Sequence, residues 1–364
     1  MTEQPQVQQE KPSPSKKPEL IKSKPQAADP NVKVDRYGQI IDGEVKEKTK
    51  AELKLEEEEN IVERRHEQKW LHMLSHWDEF TGKRHNKLRE RIKKGIPDSL
   101  RSMAWPKLII PNFGTQDYHP TDVDKLLEGG NQVGYQTIEK DLARTMPNYP
   151  MFNNEKVFNS LRRVLYAYSN KDPELGYTQG MSAIAGLLLL YLDESTAYDC
   201  FETLMLDERY GLRHYFIQDF PRLKLLNKVW EEIMKDRYPK VWKTFVKVNM
   251  ETLYYTPSWF LTLFFNQEIA PCLKFQIFDR FCEFGSKALV SFGLVIVSRH
   301  KNDLIDKPFE KVIMTMQHPC KRESEEETGK MDDWRYVLKK YDELWIPDAK
   351  YKAYFQKAGV EYFN

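Results

Sequence analysis

Two short stretches, Ile138-Glu139-Lys140-Asp141-Leu142-Ala143-Arg144-Thr145 and Gly176-Tyr177-Thr178-Gln179-Gly180, decide how the rest of this chain is read. At 100° per residue, Ile138, Leu142 and Thr145 fall on one side of a helix. Asp141 and Arg144, three residues apart on its flank, are close enough to pair. The segment can therefore bury one face and hold an arginine at its edge. Pro147 and Pro150 stop the helix, which predicts Arg144 in its last turn, near solvent. The second stretch leads into an almost wholly apolar run, so Gln179 is expected to begin a buried helix with its amide at the entrance.

An arginine and a glutamine at two helix ends suit one kind of chemistry. A guanidinium can neutralise charge developing on a transferring phosphoryl group, and an amide can orient a water or hold a loop. Neither does covalent chemistry alone. The pattern implies a chain that completes the active site of another protein. The competing reading of Arg144 is a surface arginine paired with Asp141, a common arrangement of little energetic weight.

The two stretches match a known pair of motifs. IEKDLART resembles the I-x-x-D-x-x-R motif of the TBC-domain Rab GTPase-activating proteins, and GYTQG resembles their Y-x-Q-G motif. Upstream, Gly95-Ile96-Pro97-Asp98-Ser99-Leu100-Arg101-Ser102-Met103-Ala104-Trp105 is similar to the family's opening G-I-P-x-x-L-R-x-x-x-W. Downstream, Trp259-Phe260-Leu261-Thr262-Leu263-Phe264 and Ile277-Phe278-Asp279 resemble its third block. The four blocks keep the family's order over roughly Leu88 to Leu304. Three positions depart from it. Pro106 stands where a helix-compatible residue is usual and should kink or end its helix early. Phe278-Asp279 replaces a Trp-Asp pair, keeping bulk and losing an indole donor. Phe284-Gly285 replaces Glu-Gly.

The resemblance implies an all-α fold and a role for each site residue. Arg144 would be an arginine finger supplied in trans to a GTP-bound Rab, and Gln179 a second finger standing in for the GTPase's own glutamine. Asp141 would orient Arg144 or the adjacent backbone, and Tyr177 would hold the turn presenting Gln179. Gly180 and Trp259 complete the set of supporting or Rab-contacting residues. The chain would then be a GTPase activator with no self-contained catalytic site. It would need no cofactor of its own, because GTP and magnesium belong to the partner. No G-x-x-x-x-G-K-[ST] loop appears in the sequence. Ser182, in Q-G-M-S, lacks the G-x-S-x-G elbow of a hydrolase. A catalytically silent Rab-binding scaffold is the alternative from another class.

Composition narrows the setting. The 364 residues suffice for one large domain or two ordinary ones. Lys plus Arg is 56 against 55 Asp plus Glu, a net charge of +1, so bulk charge gives no support for nucleic-acid binding. Aromatics at 13% imply a sizeable core. Cys200, Cys272, Cys282 and Cys320 show no C-x-x-C spacing, which fits a reduced, cytoplasmic location. The run Met181 to Leu192 is short of the roughly 20 residues a spanning helix needs, so it reads as a core helix. The N-terminus has no secretory h-region. Peripheral contact with endomembranes, through the Rab or the N-terminal lysines, is the accompanying expectation.

In chain order, residues 1–34 are rich in Pro, Gln, Lys and Ser and are expected to be a disordered, solvated tail. Its lysines could touch an acidic membrane surface. Residues 35–94 read as a helical extension, opening with an Asp35-Arg36-Tyr37-Gly38 island suited to docking. In it, Trp70, Met73, Leu74, Trp77 and Phe80 keep helical spacing. His72 and His76 are four apart, but the intervening glutamate of H-E-x-x-H is missing, and exposed polar histidines are the favoured reading. Lys83–Lys94 holds eight Lys, Arg or His in twelve residues without interleaved aromatics, which favours a solvated helix face. The TBC domain itself is expected over 95–304, with core motifs at 95–287. In its first helix Leu100, Met103 and Ala104 or Trp105 should form the buried side. Residues 305–364 form a C-terminal helical region, containing a charged loop at Lys321–Lys330 and an aromatic tail expected to dock on the domain.

Overall fold

Apolar residues three and four apart become buried helix faces along almost the whole chain. The computed structural model describes residues 22–26, 32–41, 50–128, 130, 132, 134–319 and 334–363. Residues 1–21 of the expected tail and the charged loop at 321–330 lie outside the described residues. The N-terminal part comprises Lys50–Ser75 (α1), Trp77–Thr81 (α2), His85–Lys93 (α3) and Arg101–Ile109 (α4). The central part comprises Val123–Leu127 (α5), Tyr135–Leu142 (α6), Glu155–Lys171 (α7), Met181–Leu189 (α8), Glu194–Leu206 (α9) and Arg213–Phe216 (α10). Then follow Pro221–Arg237 (α11), Pro239–Lys247 (α12), Thr256–Phe260 (α13), Pro271–Phe284 (α14), Ser286–Leu304 (α15), Phe309–Gln317 (α16), Trp334–Glu343 (α17) and Asp348–Lys357 (α18). Among the described residues the one β pairing is an antiparallel bridge between Val34 and Ile40. The fold is all-α, and no helix among those residues is long and apolar enough to cross a membrane.

Two helices organise the packing. α7 touches α5, α6, α8 and α9, while α14 touches α3, α4, α15 and α17. On α7, Leu161, Val164, Leu165 and Tyr168 are fully buried, and Asn154 caps its first turn by accepting from the Lys156 amide. α15 is buried nearly all round from Ser286 to Val297, which makes the β-rich run Phe292–Val297 a core helix.

Asp279 on α14 fastens the opening block to the third. Its carboxylate accepts from the Ile96 amide (3.0 Å), the Trp105 indole (2.8 Å) and the Arg101 guanidinium (3.2 Å to each oxygen). Phe278 meets Trp105 edge-on at 4.7 Å. The indole that bonds Asp279 is that of Trp105 on α4, and Phe278 adds an apolar ring against it. Pro106 lies inside α4, which continues to Ile109 rather than stopping early. Proline forfeits the bond to the Ser102 carbonyl, but Ser102 is exposed, so water can take its place. Met103, expected on the buried side, is 47% exposed, and Arg101 takes an interior place through its pairing with Asp279.

The flanking segments dock. Asp35 Oδ1 accepts from the Tyr37 and Gln39 amides, forming an Asx turn closed at Gly38, and Tyr37 packs on Phe275. The Ile40 amide donates to the Asn148 carbonyl, just beyond Arg144. Ser23 donates through its hydroxyl to Glu139 on α6, and Arg162 on α7 donates to the Ser23 carbonyl. At the other end, Tyr341 donates to the Ala288 carbonyl, and Trp345 packs edge-on against Phe284.

Candidate functional site

Arg144 sits just beyond α6, not in its last turn: the helix ends at Leu142 with Ala143 as its cap. A tight turn follows, in which the Arg144 and Thr145 amides donate to the Asp141 and Leu142 carbonyls. Three further contacts fix this turn. Thr145 Oγ1 reaches the Asp141 carbonyl (2.7 Å) and Ser182 Oγ on α8 (2.9 Å). Met146 holds a left-handed backbone (φ 56°) with its side chain buried against Gly186. A non-glycine residue held there costs about 1–3 kcal/mol and persists where surrounding packing over-determines it. Pro147 follows at once.

The Arg144 side chain is 60% exposed while Asp141 beneath it is 5% exposed. Asp141 Oδ1 accepts from Arg144 Nε (3.0 Å) and Nη2 (2.6 Å), and its other oxygen accepts from the Tyr177 hydroxyl at 2.6 Å. One buried carboxylate thus spans both motifs. Burial and the bond to Asp141 push the Tyr177 hydroxyl well above the ordinary phenol range, so it remains a donor. Arg144 is aimed outward and restrained at its base.

Gln179 is exposed and lies two residues before α8, not at its first turn. Gly180 is the N-cap, with φ 107°, a conformation side chains rarely adopt. A Cβ there would meet the Phe216 ring at 3.3 Å. The turn is fastened twice just before Gln179: Thr178 Oγ1 donates to the Phe216 carbonyl (3.1 Å), and the Tyr177 hydroxyl donates to Asp141. Among the described residues the Gln179 amide has no hydrogen-bond partner. It faces an open groove of ≈ 670 Å³ whose walls include Phe220, Tyr254, Leu261 and Thr262. Phe220 and Tyr254 are 36% and 43% exposed, an apolar margin on an otherwise polar rim.

Trp259, expected as a supporting or Rab-contacting residue, lies in the core. It is fully buried, with its indole donating to the Met316 carbonyl at 3.0 Å and its ring packed near Tyr255 and Phe264. A residue so placed packs behind the groove as a support. Asp141, Tyr177 and Gly180 are also buried and act as supports. Sequence reasoning missed Met146 and Phe220, and it did not foresee that Thr145, read as part of a helix face, would meet Ser182. These roles arise from loops meeting across helices, which periodicity does not encode. His72 and His76 are both exposed with ring centroids 4.4 Å apart, and among the described residues no group of three His, Cys, Asp or Glu is placed to hold a metal.

The architecture is that of an all-helical domain presenting an arginine and a glutamine from two mutually braced loops. The Rab-GTPase-TBC domain model matches residues 98–305, and the chain belongs to that family. Its relatives include Carabin from Mus musculus, 30% identical over 74% of this chain, and TBC1 domain family member 10A from Mus musculus, 31% identical over 73%. GTPase-activating protein GYP5 from Eremothecium gossypii is 28% identical over 76%. The chain spans 59%, 52% and 32% of the lengths of those three proteins. Among solved structures, the Chlamydomonas flagellar RabGAP TBC domain is similar in fold, with a TM-score of 0.60 at 19% identity, covering 86% of this chain and 99% of that one. The Ypt/Rab-GAP domain of Gyp1p gives 0.53 at 18% identity, covering 71% and 91%.

Proposed function

We propose that this chain is a GTPase-activating protein for a GTP-loaded Rab-family GTPase, with Arg144 and Gln179 inserted into the partner's nucleotide site. The observation that carries this reading is the shared carboxylate of Asp141. It holds the base of an exposed arginine and, through Tyr177, the turn that carries an exposed glutamine. An ordinary surface ion pair needs no second anchor, no left-handed Met146 and no glycine cap beside it. Family membership supports the same reading, as does the name of the Eremothecium relative.

The chemistry follows from what the two side chains can do. The Arg144 guanidinium spreads positive charge over a planar fork and would lie against the phosphate oxygens as charge shifts toward the leaving group. The Gln179 amide offers an acceptor and two donors, enough to hold a water in line. Magnesium and GTP would be held by the partner. The groove beside Gln179, with Phe220 and Tyr254 at its margin, would receive part of the partner's surface. The chain would act from the cytoplasm, reaching endomembranes with its Rab.

Single-turnover GTP hydrolysis by a panel of Rab proteins tests this reading, using wild type, Arg144→Ala and Gln179→Ala. Acceleration by wild type that collapses in both variants supports it and names the substrate. Rab binding without acceleration across the panel would replace it with a non-catalytic scaffold.

A further inference from the structure

A second charged feature lies outside the residues matched by the family model. α1 carries Arg65 and Lys69 four residues apart, hence on one face. Arg84, Lys87 and Arg91, three and four apart, line one face of α3 and the turn before it. The two faces converge on a groove of ≈ 340 Å³ whose apolar floor includes Met73 and Phe80, both 2% exposed. Two of the five cations have surface carboxylates nearby, Arg84 with Glu79 at 3.1 Å and Lys87 with Glu90 at 3.2 Å. Arg65, Lys69 and Arg91 have no ion-pair partner among the described residues.

Like charges drawn together from two elements repel, and among the described residues Glu79 and Glu90 pair with two of the five. A solvated basic helix would spread such charges around its circumference. The neighbouring His66 registers the field: burial first, then Arg91, Lys69 and Lys94, lower its pKa to about 4.

We propose that this groove binds clustered phosphate groups, specifically the multiply phosphorylated headgroup of a membrane lipid. Three of its five cations are arginines, whose forks match phosphate oxygens in pairs. Its volume falls in the lower range of small-molecule sites and suits a compact phosphorylated ring. Nucleic acid fits poorly, because Phe80 is buried and no aromatic face is open for base stacking. The membrane source is favoured by Ile61 and Val62. One turn before Arg65 on α1, they are 46% and 65% exposed and can enter the headgroup boundary beside the bound phosphates.

The test is vesicle co-sedimentation of the full chain. One set of phosphatidylcholine vesicles carries phosphatidylinositol bisphosphate, and another carries phosphatidylserine at matched charge. Calorimetry with inositol hexakisphosphate forms the soluble arm. Wild type should prefer the bisphosphate vesicles. R65E/K69E/R91E, and the milder R65Q/K69Q/R91Q, should bind them at least about tenfold more weakly. K243E/K247E, on exposed α12 positions away from the groove, should bind as wild type. Equal binding to both vesicle types, or equal loss in the control variant, would overturn the site in favour of bulk charge. Binding of the hexakisphosphate without binding of vesicles would keep the phosphate chemistry and overturn the membrane source.

Discussion

Arg144 and Asp141 divide the work of one site between an exposed and a buried residue, and their substitutions should separate accordingly. Arg144→Ala removes a side chain that is 60% exposed, so the melting temperature should hardly change. The rate of partner-stimulated hydrolysis should fall by about 10³ or more, the usual effect of losing an arginine finger. Arg144→Lys keeps the charge but loses the fork, and should recover little of that rate. Tyr177→Phe deletes one donor to Asp141, costing about 1 kcal/mol in denaturant unfolding. It should also slow hydrolysis, by less than Arg144→Ala, because the turn carrying Gln179 loses one anchor. His66 supplies a pH dependence. Its Nε2 is buried without a partner among the described residues, and the folded pKa is lowered to about 4 from an ordinary 6.5. Below 6.5 the unfolded chain takes up a proton that the folded chain refuses. The stability contributed by a neutral His66 is therefore complete above pH 6.5 and lost as pH falls toward 4. Unfolding of wild type and His66→Gln should diverge across that window, wild type losing stability more steeply as the pH falls.

At the level of elements, α8 is where packing reaches the Arg144 loop. A Cβ at Gly186 would meet Met146 side-chain atoms at 2.8 and 2.9 Å. Gly186→Ala gains about 1 kcal/mol of helix propensity against that clash, so stability should stay near wild type. Hydrolysis should slow, because Met146 is two residues from Arg144, and Met146→Ala added to it should restore part of the rate. A stability loss with unchanged hydrolysis would mean that the Met146 contact does not position the loop. The same elements show what was legible in the sequence. Helical spacing located α7, α9, α11 and α12, and the motifs located Arg144 and Gln179. Boundaries were missed where loops, not periodicity, decide them. α6 stops before Arg144 because Asp141 and Leu142 carbonyls turn to accept from the following amides. α8 starts after Gln179 because Gly180 takes a conformation open to glycine. Trp259 could be read as a support or a contact because sequence does not reveal which aromatic of a dense run points inward. The Asp141–Tyr177 bond joins residues 36 apart, and no local pattern encodes it.

Across the whole molecule, Asp279 couples the opening of the domain to α14, as Asp141 couples the loops carrying Arg144 and Gln179. It is fully buried and accepts from Ile96, Arg101 and Trp105. Asp279→Ala would leave the Arg101 charge buried with Asp98 alone as its remaining ion-pair partner. That change should destabilise the fold by about 3–5 kcal/mol, read as a lower midpoint in denaturant. The proposed function lies, at this scale, between two proteins. The decisive measurement is single-turnover hydrolysis by a responsive Rab whose own catalytic glutamine has been replaced by leucine. If Gln179 holds the attacking water, wild-type protein accelerates that variant about as well as the normal Rab, and Gln179→Ala does not. If wild type accelerates the normal Rab but leaves the leucine variant at its basal rate, the water is held by the GTPase, and Gln179 is not a finger.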